Sequence, residues 1–165
     1  MKVLLIVDDE AYARQAVVNT IPWAEYGVEV HQASSGKEAL EFMQKYTVDI
    51  LMTDIRMPSM TGLELLEKVN QMGISPAVIM LSSYNEFELV RSAMQLGAED
   101  YLFKPTMMPT DILESVQRVL EKKKETKKKA APVTFEDLKN LIKETADALG
   151  GTLSQDDLDA FLKEF

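Results

Sequence analysis

The 165-residue chain has no cysteine, one histidine and one tryptophan. Without cysteine there is no disulfide framework, no thiolate nucleophile and no cysteine-ligated zinc, which fits a reducing compartment. The lone histidine, His31, lies in a strand-like run away from the other chemistry-bearing residues, so no serine has an imidazole base beside it. No apolar run approaches the ~20 residues that span a bilayer. The start, Met1-Lys2-Val3-Leu4-Leu5-Ile6-Val7-Asp8-Asp9, turns acidic too soon for a signal peptide, and a cytoplasmic location is expected. Basic charge is scarce as well. The formal net charge is −9, with 9 basic against 17 acidic residues in 1–120 and 3 against 8 in 132–165; only 121–131, with 6 against 2, is positive. A nucleic-acid-binding domain usually shows a basic face, so direct DNA binding by this chain is not expected.

What is present reads as a soluble globular protein, 46% hydrophobic and 27% charged. The length suits one ordinary domain plus a small appendage. Short apolar runs at Val3–Val7, Val28–Ala33, Val48–Thr53, Ala77–Leu81 and Tyr101–Phe103 read as strands. Between them, Ala11–Ile21, Gly36–Tyr46, Leu63–Met72 and Glu86–Leu96 space their apolar residues by three and four, as helices do. A fifth helix starts near Pro109 and carries Leu113, Val116 and Leu120. Five strands alternating with helices imply a parallel sheet covered on both faces.

The stretch Leu51-Met52-Thr53-Asp54-Ile55-Arg56-Met57-Pro58 organises the rest. Its apolar run ends on Asp54, and Met57-Pro58 and Thr61-Gly62 then demand a loop. The first strand ends in Asp8-Asp9-Glu10, so both sets of carboxylates belong at the carboxyl edge of the sheet, where ligands bind in open α/β folds. Like charges placed together repel and raise one another's pKa unless a cation neutralises them. Mg²⁺ is the economical cation, because it accepts one or two carboxylates and keeps several waters. The fourth strand brings Ser82-Ser83 to the same edge and the fifth brings Lys104-Pro105. Carboxylates, hydroxyls and an ammonium group together suit phosphoryl transfer, with a carboxylate as the nucleophile.

Asp8-Asp9-Glu10, Asp54-Ile55-Arg56-Met57-Pro58, Thr61-Gly62, Ser82-Ser83-Tyr84, Gly97-Ala98-Glu99-Asp100-Tyr101 and Lys104-Pro105 resemble, in order and spacing, the receiver domain of two-component response regulators. The resemblance covers residues 1–122. It implies a flavodoxin-like (βα)5 doubly wound parallel sheet, strand order 2-1-3-4-5. It also implies that Asp54 accepts phosphate from a sensor histidine kinase, and that Asp9, Asp54 and the Arg56 backbone carbonyl bind Mg²⁺ with help from Asp8. Ser82 would hydrogen-bond the phosphoryl group, Lys104 would pair with it, and Tyr101 would be the rotating aromatic of the switch. Lys104-Pro105 is often cis in the family. Ser83 stands where the family prefers Ala or Gly. Thr20-Ile21-Pro22-Trp23 and Ser83-Tyr84-Asn85-Glu86-Phe87-Glu88 resemble the subgroup that usually carries an arabinose-regulator-type DNA-binding domain, for which the 34 residues after Ala131 are too few and too acidic.

Residues 123–132 read as a charged linker or an extension of the fifth helix, and 133–165 as two short amphipathic helices. Thr134-Phe135-Glu136-Asp137 resembles a capping box, and Ser154 with Asp157 caps the second helix. Leu153–Leu162 resembles the short peptide at the start of the flagellar motor switch protein, which docks on phosphorylated chemotaxis receivers. The tail and the face of the fourth helix, fifth strand and fifth helix are therefore the expected protein-binding elements, for an output target or for self-association. Two other functions remain open. One is a phosphohydrolase using Asp54 transiently, although such enzymes usually place a second Asp where this chain has Arg56. The other is a receiver-like interaction module without chemistry.

Overall fold

A computed structural model of the chain describes residues 1–83 and 87–129, with positions 136, 139–140, 142–144, 150, 154 and 156–157 beyond them. Met1–Lys124 form one compact unit and Glu125–Phe165 a second. In the first, β1 (Lys2–Val7), β2 (Val28–Ala33), β3 (Ile50–Asp54), β4 (Ala77–Ser82) and β5 (Asp100–Phe103) alternate with α1 (Ala11–Thr20), α2 (Gly36–Lys45), α3 (Gly62–Gln71), α4 (Phe87–Gln95) and α5 (Pro109–Lys129). The strands pair in parallel in the order β2-β1-β3-β4-β5. This is the flavodoxin-like sheet expected from the sequence.

Strand side chains alternate between faces, so each apolar run supplies two cores. Leu5, Val7, Leu51, Val78 and Met80 form one cluster with Ala39 and Met43 of α2, Leu65, Leu66 and Val69 of α3 and Ala93 of α4. Leu4, Ile6, Ile50, Met52, Ile79 and Leu81 form the other with Val17 of α1 and Ile112, Val116 and Val119 of α5. Covered on both sides, β3 and β4 are buried at every residue, which explains runs that read as unbroken apolar rather than alternating.

Most boundaries fall within a residue or two of the expected ones. Val48 is buried but precedes the strand, because Asp49 ties the edge instead: its carboxylate accepts from the Val3 N–H at 2.8 Å. Thr61 and Gly62 do not extend the loop after β3. The Thr61 hydroxyl accepts from the Glu64 N–H at 3.2 Å as the N-cap of α3, and Gly62 is the first helical residue. Residues Trp23–Tyr26 form a 3₁₀ turn that the sequence reading lacked, closed by Gly27 at φ 70°; Trp23 is buried there, its Nε1–H donating to the Val17 carbonyl at 3.0 Å. The Lys104–Pro105 peptide is trans, unlike the cis form common in the resembled family. The expected helices of 133–165 fall largely outside the described residues. Of their caps, the Ser154 hydroxyl accepts from the Asp157 N–H at 3.1 Å and donates to its carboxylate at 2.6 Å.

Gly62 is required by a close approach, not by an unusual φ. A Cβ there would overlap the Asp54 carbonyl oxygen and crowd the Ile55 Cα. Alanine would improve the helix by about 1 kcal/mol, but overlap with backbone atoms that cannot rotate away costs more, about 1–3 kcal/mol or above. Gly62→Ala is thus expected to lower the midpoint of thermal unfolding by roughly 5 °C, read by circular dichroism; an unchanged or raised midpoint would refute the close approach.

Candidate functional site

Register places the site residues on successive steps along the sheet edge. Val7 pairs with Thr53, so Asp8 and Asp54 leave their strands side by side. Asp54 pairs with Leu81, which Ser82 follows; Ser82 pairs with Phe103, which Lys104 follows. Parity completes the convergence. Asp8 continues the face of Leu4 and Ile6, Asp54 that of Ile50 and Met52, and Lys104 that of Leu102, all directed to the α1–α5 side. The chain reverses its direction of strand addition between β1 and β3, the crevice where such sheets bind ligands.

Asp8, Asp54 and Ser82 are buried, Lys104 is half-buried and Asp9 is exposed. The Lys104 ammonium bridges two carboxylates, at 2.5 Å from Asp8 Oδ2 and 3.0 Å from Asp54 Oδ2. Asp8 Oδ1 accepts from the Glu10 N–H at 2.9 Å. Asp8 Oδ2 is buried, and its close contact with the Lys104 ammonium is the charge pairing that keeps it there. Desolvation raises the Asp54 pKa, the Lys104 hydrogen bond and charge oppose this, Asp8 adds to the rise, and a hydrogen bond from the Arg56 backbone lowers it slightly. Burial by itself would lower the Lys104 pKa, but hydrogen bonds and charge from Asp8 and Asp54 outweigh it, and the net shift is upward. The Lys104 side chain also borders a largely apolar cavity of about 310 Å³ between α1 and α5, walled by Ile6, Val17, Leu81, Met107 and Ile112.

Asp8, Asp9 and Asp54 each offer a carboxylate oxygen, all within 4.8 Å of one another. The donor set is hard oxygen, and two buried carboxylates share one ammonium group while the third, exposed Asp9, adds uncompensated negative charge beside them. These features fit Mg²⁺, with its 2.0–2.1 Å oxygen ligands and retained waters. The Arg56 backbone lies at the Asp54 carboxylate through its N–H. Tyr101 is 50% exposed on the outer side of β5, so it is not a packed core aromatic. His31 is remote, paired with Glu29 at 2.6 Å and set against the Phe42 ring.

The response regulator receiver domain profile matches residues 4–117. The chain belongs to the response regulator receiver family. The receiver is 36% identical over 135 residues to an uncharacterized response regulatory protein of Staphylococcus epidermidis, covering 79% of this chain and 53% of that protein. It is 32% identical over 133 residues to the transcriptional regulatory protein HptR of Staphylococcus aureus, covering 78% of this chain and 52% of that protein. The chain thus spans about half the length of the curated relatives it matches. Among solved structures, the receiver domain of AraT from Geobacillus stearothermophilus superposes with a TM-score of 0.69 at 36% identity, over 76% of this chain and 98% of that one. The chemotaxis protein CheY4 of Vibrio cholerae gives 0.66 at 34% identity, over 72% and 98%. Among the described residues no helix is long and apolar enough to cross a membrane.

Arg14 is a residue of this site that the sequence reading missed. Its Nη1–H donates to the Asp8 backbone carbonyl and its Nε–H to Gln32 Oε1 at 3.3 Å. On the sequence it is a charged position within an amphipathic helix, with nothing to mark its reach.

The raised Asp54 pKa fixes a sign for stability. A carboxyl whose folded pKa exceeds its unfolded value contributes fully below the unfolded pKa and loses that contribution as pH rises through the folded one. Ionised Asp54 therefore costs stability near neutral pH. Asp54→Asn, without divalent metal, should melt a few degrees higher than the parent at pH 7, the gap closing as pH falls into the carboxyl range and wild-type Asp54 takes up its proton. A variant less stable at pH 7 would contradict this.

Proposed function

We propose that this receiver is a phosphorylation-dependent signalling switch of a cytoplasmic two-component system. Asp54 is the phosphoacceptor and a sensor histidine kinase the donor. The observation that supports this best is the convergence of Asp8, Asp9, Asp54 and Lys104 at the β1–β3 crevice. Asp54 Oδ attacks phosphorus in line, the new O–P bond forms as the P–N bond to the donor imidazole breaks, and the imidazole leaves. Asp8, Asp9, Asp54 and the Arg56 carbonyl would hold Mg²⁺, which when bound would supply charge neutralisation for the phosphoryl oxygens. Lys104 is already ion-paired at the site and transfers part of its pairing to a phosphoryl oxygen. Ser82, buried at the next strand end, donates its hydroxyl to another.

The added group carries about −1.5 to −2 charge. Movement of Ser82 and Lys104 toward it is coupled to an inward turn of Tyr101, which is half-exposed before modification. The face formed by α4, β5 and α5, together with the tail of residues 133–165, then changes its affinity for an output protein or a second copy. The chain catalyses only its own phosphorylation and dephosphorylation.

Incubation with acetyl phosphate and Mg²⁺ should label the protein to about one phosphoryl per chain, and Asp54→Asn should abolish labelling; undiminished labelling of the variant would refute Asp54 as acceptor. Sustained turnover of a phosphomonoester would favour the hydrolase instead. For the tail, chains with and without residues 132–165 should differ in sedimentation or in phosphoryl lifetime when beryllofluoride or phosphate is supplied. Identical behaviour would remove the tail from the output.

A further inference from the structure

Arg14 sits on the second turn of α1, half-buried, and reaches three other parts of the fold. One guanidinium nitrogen donates to the Asp8 backbone carbonyl, Nε donates to Gln32 at the end of β2 at 3.3 Å, and its charge acts on Glu38 of α2. Glu38 is itself fixed: its carboxylate accepts from the Ser34 hydroxyl at 2.6 Å and the Ser34 N–H at 2.9 Å. The peptide that Arg14 grips joins Asp8 to Asp9, the two carboxylates that β1 contributes to the acidic cluster. Asp9 is exposed and forms no ion pair among the described residues, so its direction depends on the backbone that carries it. Meanwhile α1 begins without a side-chain cap from its N-cap residue Glu10, and the tie at this end is the Glu10 N–H donating to Asp8 Oδ1 at 2.9 Å, which leaves the Asp9 side chain unheld.

We propose that Arg14 is a positioning residue for the divalent cation: its planar fork holds the Asp8–Asp9 peptide against β2 so that both carboxylates face Asp54 before the ion arrives. This rests on the reading of the acidic cluster as a Mg²⁺ site. Two contributions of Arg14 oppose one another, and that opposition makes the role testable. As a nearby positive charge it repels a cation, so its removal would tighten Mg²⁺ binding. As the clamp on the loop it preorganises two ligands, so its removal weakens binding; loss of an outer partner of a metal ligand typically costs 10–100-fold in affinity. The close hydrogen bond to the Asp8 carbonyl acts directly on a ligand-bearing residue, whereas the repulsion is reduced by Glu38 and by solvent, and the clamp prevails. Lysine keeps the charge but has no fork to span two acceptors.

The test is calorimetric titration of the whole chain with MgCl₂, for the parent, Arg14→Gln, Arg14→Lys, Gln32→Ala and Asp9→Asn, at a temperature where metal-free melting shows each folded. Arg14→Gln and Arg14→Lys should each weaken Mg²⁺ binding by roughly 10-fold or more. Gln32→Ala, an exposed change that leaves the Asp8 contact in place, should weaken it by a smaller factor. Parent-like affinity in Arg14→Lys, or tighter binding in Arg14→Gln, would overturn the positioning role. Parent protein that takes up no Mg²⁺, or takes it up unchanged in Asp9→Asn, would instead overturn the cluster as the metal site.

Discussion

The bridge from the Lys104 ammonium to Asp8 and Asp54 is the constraint on which the rest of the structure depends. Two carboxylates of about 5% exposure or less lie beside each other at the end of a dry sheet. Buried charge of that kind is tolerated only when paired, and a partner removed from such a pair leaves an uncompensated ion. One ammonium group answers two buried carboxylates, and Asp9 adds a third at the rim. The pairing holds the strand ends together, while the excess of negative charge keeps the site receptive to a cation. The raised pKa of Asp54 expresses the same imbalance, because desolvation and Asp8 outweigh what Lys104 gives back.

Much of this was legible because chemistry sits where apolar runs stop. Each strand that reaches the site ends in a change from apolar to polar residues: Val7 to Asp8, Met52 to Thr53-Asp54, Leu81 to Ser82, Phe103 to Lys104. A parallel α/β sheet puts every such junction on one edge, so fold class and candidate site came from the same pattern. The two-residue period carried more than was read from it. Asp8, Asp54 and Lys104 lie an even number of residues beyond Leu4, Ile50 and Leu102, which selects the α1–α5 side.

Other features were not legible, for identifiable reasons. Thr61-Gly62-Leu63-Glu64 carries both a glycine breaker and a Thr-x-x-Glu helix start; the glycine suggests a loop, but the Thr61 hydroxyl caps the Glu64 N–H and starts the helix, and the glycine is there because the strand end leaves no room for a Cβ. The 3₁₀ turn at Trp23–Tyr26 is too short for a periodic signature and is held by the burial of one indole ring. Tyr101 lies on an edge strand, so one side of its strand faces solvent and burial cannot be inferred from residue type. Arg14 is the deepest case. Its partners are 6 and 18 residues away in sequence, and only the packing of α1 beside β2 makes them neighbours.

The geometry also bounds how strong the proposed switch can be. A ligand or modification shifts a two-state equilibrium only by its differential interaction with the two states. Lys104 is already charged and already paired in the unmodified protein, so its contribution on phosphorylation is the difference between a phosphoryl partner and the carboxylates it leaves. Ser82 also has an interaction before modification, so a phosphoryl contact there would compete with one already made. Both are exchanges of partners, and exchanges release far less free energy than new contacts. In the proposed switch, output through the half-exposed Tyr101 and its β5 neighbours would rely on a protein partner to complete the shift that a phosphoryl group begins.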